Sequence, residues 1–150
     1  MIAVIQRVLE SKVVIEGKAV AHIGAGMLIL AGFEEADSDS DLGWMSSKII
    51  NLRIFPDQDS VMNKSIKDSG GDILVVSQFT LHASTKKGNR PSYSKAAKPE
   101  VAIPLYNAFL DQLEKALGRK IASGEFGADM KVHLINDGPV TIIIDSKDKK

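Results

Sequence analysis

Gly24-Ala25-Gly26-Met27-Leu28-Ile29-Leu30-Ala31-Gly32-Phe33 is the stretch on which the fold turns. The uncharged run Met27 to Gly32, entered through a glycine-rich turn, has the length and monotony of a strand covered on both faces. Upstream, Ile2 to Val8 and Lys12 to Ile15 are rich in β-branched residues, Glu16-Gly17-Lys18 reads as a hairpin turn, and Val20 to Ile23 leads into a second hairpin at Gly24-Ala25-Gly26. About four strands are therefore expected before the first helix. Downstream, Leu42, Met45, Ile49 and Leu52 recur at helical spacing behind Ser38 and Asp39, either of which can cap a helix.

The remainder alternates in the same way. Ile54-Phe55-Pro56 before Asp57-Gln58-Asp59 reads as a short strand and a polar turn, Ser69-Gly70-Gly71 as punctuation, and Ile73 to Val76 as a strand. Pro99 opens a second helix with the apolar stripe Ala102, Leu105, Tyr106, Phe109, Leu110, Leu113 and Leu117, closed by Gly118. Pro104 conflicts with a straight start, so that helix either begins later or has a distorted first turn. Met130, Val132, Leu134 and Val140, Ile142, Ile144 alternate in two further strands with Asn136-Asp137-Gly138-Pro139 between them. The expected fold is α/β: one domain over 1–150, with a mixed or antiparallel β-sheet or barrel-like core, two main helices, and a frayed tail from about 146 to 150.

Composition narrows the function classes. The 150 residues are 44% hydrophobic and 25% charged, globular values. Nineteen Lys and Arg balance nineteen Asp and Glu, so any nucleic-acid contact must be local. The absence of cysteine excludes disulfides, thiolate metal sites and cysteine nucleophiles, and is compatible with a reducing compartment. The apolar run to Phe33 is far short of the roughly 20 residues of a membrane span. Gln6 and Arg7 interrupt the N-terminal run before a signal-peptide core can form, so no secretion is expected.

Several look-alike motifs fail. Asp37, Asp39 and Asp41 match the opening of an EF-hand loop, but Leu42 stands where glycine is needed and Lys48 where glutamate is needed. Acidic groups in a helix's first turn explain them better. Gly24-Ala25-Gly26 is followed by a strand rather than the helix of a dinucleotide fingerprint. His22, His82 and His133 lie far apart in sequence, so no metal is expected.

Three segments carry chemistry. Ser77-Gln78-Phe79-Thr80-Leu81 ends the Ile73–Val76 strand, where sheets deliver side chains to crevices. Continued as extended chain, it places Ser77, Phe79 and Leu81 on one face and Gln78, Thr80 and His82 on the other. It is either a row of hydroxyl and amide groups beside an aromatic platform or an ordinary polar strand end, and spacing alone favours the latter. In Asn136-Asp137-Gly138-Pro139-Val140-Thr141, the Gly138-Pro139 bond is either a plain turn or held cis; only about 5–6% of X-Pro bonds are cis, so trans is the expectation from spacing. Thr85 to Lys98 carries Lys86, Lys87, Arg90, Lys95 and Lys98 with no acidic residue, plus Tyr93: a phosphate-binding loop with one stacking ring, or a solvated loop, which composition favours.

Taken together these residues resemble the D-aminoacyl-tRNA deacylases of the bacterial and eukaryotic type. The resemblance runs from Ala3-Val4-Ile5-Gln6-Arg7-Val8 through Asn51-Leu52-Arg53-Ile54-Phe55, both six-residue-scale motifs above, and Phe126-Gly127-Ala128-Asp129-Met130. It implies an α/β homodimer with active sites at the subunit interface and a cis Gly138-Pro139 bond inserted into the partner's site. There its backbone carbonyl excludes the side chain of an L-amino acid. The implied reaction is hydrolysis of the ester joining a D-amino acid, or mischarged glycine, to the terminal adenosine of tRNA, in the cytoplasm and without a cofactor. Ser77, Gln78, Phe79 and Thr80 are implied as catalytic, Phe126 and Met130 as pocket walls, and Lys86, Lys87, Arg90 and Tyr93 as contacts to the acceptor end. His82, Lys86, Asn89 and Tyr93 depart from the tyrosine, arginine, arginine and phenylalanine frequent there, and Asn89 cannot supply a bidentate phosphate contact.

Thr80 is the best-placed hydroxyl, but the sequence shows no clear activating base beyond His82. Positioning is the better expectation, with the substrate's vicinal ribose hydroxyl directing water and with Ser77, Gln78 and the backbone amides of Phe79 and Thr80 binding the ester. A non-catalytic RNA-end-binding module and a small-ester or nucleotide hydrolase are the alternatives.

Overall fold

The computed structural model describes all residues from Met1 to Lys150. Strand β1 (Ile2–Ile15) is the axis of the sheet. It turns at Glu16-Gly17 into β2 (Lys18–Ile23), which pairs antiparallel with its second half, and then β3 (Gly26–Gly32) pairs antiparallel with its first half. The expected second hairpin is therefore absent: β2 and β3 run one after the other along the same partner, and Gly24-Ala25 is a step in that course. Because β1 absorbs two of the expected strands, three strands rather than four precede helix α1 (Asp39–Asn51).

The two-residue β4 (Phe55–Pro56) pairs with β5 (Met62–Lys64), and one helical turn, α2 (Ile66–Ser69), leads to β6 (Asp72–Ser77). Strand β6 lies parallel to β3, and Gly26 makes that close approach possible: a Cβ there would run into the Asp72 carbonyl. Helix α3 (Pro99–Leu117), the two-residue β7 (Ala122–Ser123, parallel to β6) and β8 (Lys131–Asp145, antiparallel to β1) complete the chain. The sheet order is β2-β1-β3-β6-β7 with β8 on the free side of β1, and it curls until β2 comes against β6 and β7.

The apolar run quoted first is buried on both faces, as its monotony requires. Met27, Ile29 and Ala31 face a core under the two main helices with Leu42, Met45, Ile49, Phe109 and Leu113, whereas Leu28 joins Val8, Val13, Ile23, Leu74 and Val76 in a second cluster inside the curl. Ser38 caps α1, its backbone N–H donating to Asp41 at 2.9 Å. Helix α3 runs unbroken through Pro104, because Pro104 lies on the exposed face where the carbonyl deprived of its N–H partner can meet solvent.

The chain ends are tied together. The Met1 α-ammonium is 2.5 Å from Asp37 and 2.8 Å from the Ser146 hydroxyl, all buried, and Lys147 donates to Asp41 at 2.8 Å. The expected fraying from 146 onward is thus interrupted at Ser146 and Lys147. Burial pushes the Asp41 carboxyl up, but hydrogen bonds from Lys147 and Ser38 outweigh it and hold the group well below the usual carboxylate range; the same contact raises Lys147. A depressed acid stabilises above its unfolded pKa near 4 and a raised amine below its own near 10.4. The protection of the Lys147 amide against exchange, relative to an unstructured amide at the same pH, is accordingly expected to hold from about pH 5 to about 10 and to fall as pH drops below about 4. Loss of that protection already at pH 6 would disprove the tie.

Two local expectations give way. Ser77 ends β6, and Phe79–His82 wind into a 3-10 turn, so the extended alternation across Gln78, Thr80 and His82 does not occur. Nor does Asn136–Pro139 turn between two strands: β8 is one strand, and both arms pair with β1 in the same sense. Val8 opposes Asn136 while Gln6 opposes Thr141, so two steps of β1 face five of β8 and Asp137-Gly138-Pro139-Val140 bulges outward. The Gly138-Pro139 bond is cis, against the trans expectation from spacing and in line with the resemblance.

Candidate active site

The parallel strands β3 and β6 end side by side, and the crevice beyond the carboxyl ends of such strands is where α/β sheets bind ligands. Here it is a cavity of about 320 Å³. Ala31 and Phe33 follow from β3, Val76, Ser77, Gln78 and Phe79 from β6, Ala97 and Ala102 from the start of α3, and residues 126–130 with Val132 from the entry to β8. Segments more than forty positions apart thus bring Ser77, Gln78 and Phe79 together with Phe126 and Met130.

Local contacts set the side chains. Gln78 donates its amide to the Thr80 hydroxyl at 2.5 Å, tying the crevice to the 3-10 turn. An amide is no base, so this contact does not activate Thr80. His82, the one nearby candidate base, is buried beneath the turn with its Nε2 unpartnered. A Cβ on Gly32 would fall 3.2 Å from its ring, so His82 packs on β3. Phe126 is held by Tyr106 at 5.7 Å between ring centroids, and the Tyr106 hydroxyl donates to the Val75 carbonyl at 3.3 Å. Burial pushes the Tyr106 phenol up to about 12, so it stays protonated as a strut under the end of β6.

Phe79 is 56% exposed and meets Tyr93 edge-on at 5.1 Å. Paired backbone bonds between Ser84 and Ser92, 2.8 and 2.9 Å, fold the intervening loop back on itself. Lys86, Lys87 and Arg90 project from that exposed loop, so the Phe79–Tyr93 contact links the basic segment to the mouth of the crevice.

Gly138 and Pro139 lie elsewhere. Both are exposed at the crest of the β8 bulge, and neither lines the crevice of its own chain. Arg7 anchors the crest from below: its Nε donates to the Asp137 carbonyl at 2.8 Å and its Nη1 to the Ile54 carbonyl at 2.6 Å. Asn136 closes the base, accepting from the Val140 N–H at 2.8 Å and donating to the Val140 carbonyl at 3.1 Å. Arg7, which holds the crest, is not among the candidates the sequence offers, although a lone arginine inside an apolar strand run is the available signal. Phe33, Ala97, Ala102 and Tyr106 carry no such signal, because their place at the site depends on how α3 docks. No three His, Asp or Glu side chains converge in a way that could hold a metal ion.

Comparisons with known proteins identify the family. The family model described as D-Tyr-tRNA(Tyr) deacylase matches residues 4–145. Curated relatives named D-aminoacyl-tRNA deacylase include one from Flavobacterium psychrophilum, 65% identical over 150 residues and covering all of both chains, and one from Bacteroides thetaiotaomicron, 62% identical over 147 residues and covering 98% of each. A solved structure described as c-Myc DNA Unwinding Element Binding Protein superposes with a TM-score of 0.92 at 43% identity over 97% of this chain and 98% of its own. A probable eukaryotic D-amino acid tRNA deacylase shares the fold at a TM-score of 0.81 and 19% identity, covering 95% of this chain and 97% of its own. With a family model spanning almost the whole chain and relatives above 60% identity from end to end, this protein belongs to the D-Tyr-tRNA(Tyr) deacylase family.

Proposed function

We infer that the protein is a D-aminoacyl-tRNA deacylase, hydrolysing the ester between the amino acid and the terminal adenosine of tRNA to release free D-amino acid and tRNA. The observation that carries this reading is the crevice itself: Ser77, Gln78 and Phe79 face Phe126 and Met130, and Phe79 joins the pocket to a basic loop through Tyr93. A small polar-edged pocket beside exposed cations suits an ester attached to a phosphate chain.

In this reading Ser77 and Gln78 bind the ester, and Phe79 and Tyr93 offer ring faces to the terminal adenosine. The N–H groups of Phe79 and Thr80 head the 3-10 turn, where donors lack an intrahelical acceptor, and they receive the developing oxyanion. The substrate's vicinal ribose hydroxyl directs the attacking water. Lys86, Lys87 and Arg90 hold the acceptor end.

Chiral selection falls to Gly138-Pro139 of a second copy, whose carbonyl excludes an L side chain while glycine, having none, passes. Support comes from the layout of β8, which begins beside Met130 and Val132 at its own crevice and carries the exposed crest further along. Leu134 and Ile135 between them are 36% and 49% exposed, apolar surface suited to a two-fold contact. The protein then works as a cytoplasmic homodimer in proofreading of aminoacyl-tRNA.

The test is parallel hydrolysis of D-tyrosyl-tRNA and L-tyrosyl-tRNA with a metal chelator present. Release from the D ester alone is expected; release from neither sinks the enzyme reading. Thr80→Ala is expected to lower kcat by about tenfold, the worth of one hydrogen bond, whereas loss of an activated nucleophile costs up to about 10⁶. A loss beyond about a thousandfold would reassign Thr80 as the nucleophile.

A further inference from the structure

Met130 takes its place at the crevice wall because Gly124 has no side chain. A Cβ on Gly124 would stand 2.6 Å from the Met130 Sδ and 3.8 Å from its Cε, so the thioether lies where any other residue would put a side chain. We propose that Gly124 is a positioning residue that sets the width of the crevice: it lets Met130 lie back against the β7–β8 connection and so leaves room for the aminoacyl-adenosine end of the substrate. This step rests on the deacylase reading above, and it gives a role in substrate entry to a residue that does not itself line the cavity.

The surroundings decide which atoms would move if a side chain were added. The Gly124 backbone is held, because its N–H donates to the Val75 carbonyl at 2.9 Å directly after Ser123 pairs with Val75, and the same carbonyl accepts the Tyr106 hydroxyl. Val76 stands on another side, its Cγ2 3.7 Å from the same Cβ position, and is buried in the cluster inside the curl. Met130 is the group that gives way, since its side chain is unbranched and flexible. Its backbone stays put, because the next residue, Lys131, pairs with Val14. A packed interior offers the displaced thioether no space, whereas the cavity of about 320 Å³ lies open beside it. Gly124 lacks the positive φ of Gly127 and Gly138, so alanine suits its backbone and the obstacle is the Met130 side chain alone. A methylene-sized change in an apolar pocket alters substrate use by about 10- to 200-fold, and a single shifted wall belongs at the lower end of that range.

The experiment measures kcat and KM on D-tyrosyl-tRNA for the wild type, Gly124→Ala, Met130→Ala and the double variant, with thermal unfolding as the control for folding. Gly124→Ala is expected to raise KM about tenfold with a much smaller change in kcat. Its melting temperature is expected to be unchanged or raised by a few degrees, because alanine restricts the unfolded chain. In the Met130→Ala background the same substitution is expected to shift KM less than about twofold, because the group it would push aside is gone. An unchanged KM for Gly124→Ala, an equal rise in both backgrounds, or loss of folding in Gly124→Ala would overturn the assignment. Failure of the wild type to cleave D-tyrosyl-tRNA at all would instead strike the deacylase reading, and is seen before any variant is made.

Discussion

Replacing Gly138 by alanine is expected to cost the enzyme its rejection of L-aminoacyl esters while leaving the fold standing. Gly138 has a φ of +149°, a conformation that side-chain-bearing residues rarely adopt. A Cβ built there falls 2.7 Å from Val140 Cγ2 and 2.8 Å from the Val140 nitrogen, so the peptide at the crest must rotate. It cannot move freely, because Arg7 and Asn136 hold the bulge on either side. A non-glycine residue in such a region costs about 1–3 kcal/mol, or several degrees in melting temperature for a domain of this size. The carbonyl proposed to exclude L side chains would shift, and a displacement of about 1 Å in a positioned group is enough for about a hundredfold change. The ratio of D- to L-tyrosyl-tRNA hydrolysis is therefore expected to fall about a hundredfold, with cooperative unfolding retained. An unchanged ratio would remove Gly138 from the selection mechanism.

The largest effect on stability is expected far from the crevice, at Asp37→Asn. One Asp37 oxygen takes the Met1 ammonium at 2.5 Å and the other accepts the Glu34 N–H at 2.9 Å, with both partners of the ion pair fully buried. Removing one charge from a buried pair strands the other and costs about 3–5 kcal/mol. For about 150 residues that is a drop of roughly 10 °C or more in melting temperature. Asp72→Asn, which breaks the exposed pair with Arg119, is the matched control and is expected to cost about 1 kcal/mol or less. D-tyrosyl-tRNA hydrolysis below the melting transition is expected to survive Asp37→Asn, since Asp37 takes no part in the crevice. Equal shifts for the two variants would mean that the Met1 pair contributes no more than a surface contact.

What could be read from the chain was whatever its local chemistry specifies. The uncharged run Met27–Gly32 demanded burial on both faces, Ser38 marked the start of α1, and Pro99 and Gly118 bracketed α3. Each is written within a few neighbouring residues, as a period, a cap or a φ preference. The two signature motifs also stood out, because polar groups interrupt apolar strands there and because their order resembles a known family. Their conformations did not: the Gln78 N–H still bonds to the Ala31 carbonyl at 2.8 Å, and from Phe79 to His82 the chain leaves the strand for a 3-10 turn.

Tertiary structure decided what depends on partners distant in sequence. Asn136–Pro139 looks the same whether its arms pair with each other or with a third strand, and only the register of β8 along β1 makes it a bulge instead of a turn. Likewise β2 and β3 follow a single strand rather than forming a hairpin, because β1 is long enough to serve both. The meeting of Ser77 with Phe126, of Phe79 with Tyr93, and of Met1 with Asp37 are further cases. The sequence by itself determined the two main helices, the doubly buried strand and the chemical groups at hand; strand pairing set where the other strands begin and end, and packing of the curled sheet against two helices determined which of those groups share a cavity. The physical reason is that propensity acts over a few residues, whereas burial and strand pairing reward contacts between segments whose separation no local pattern encodes.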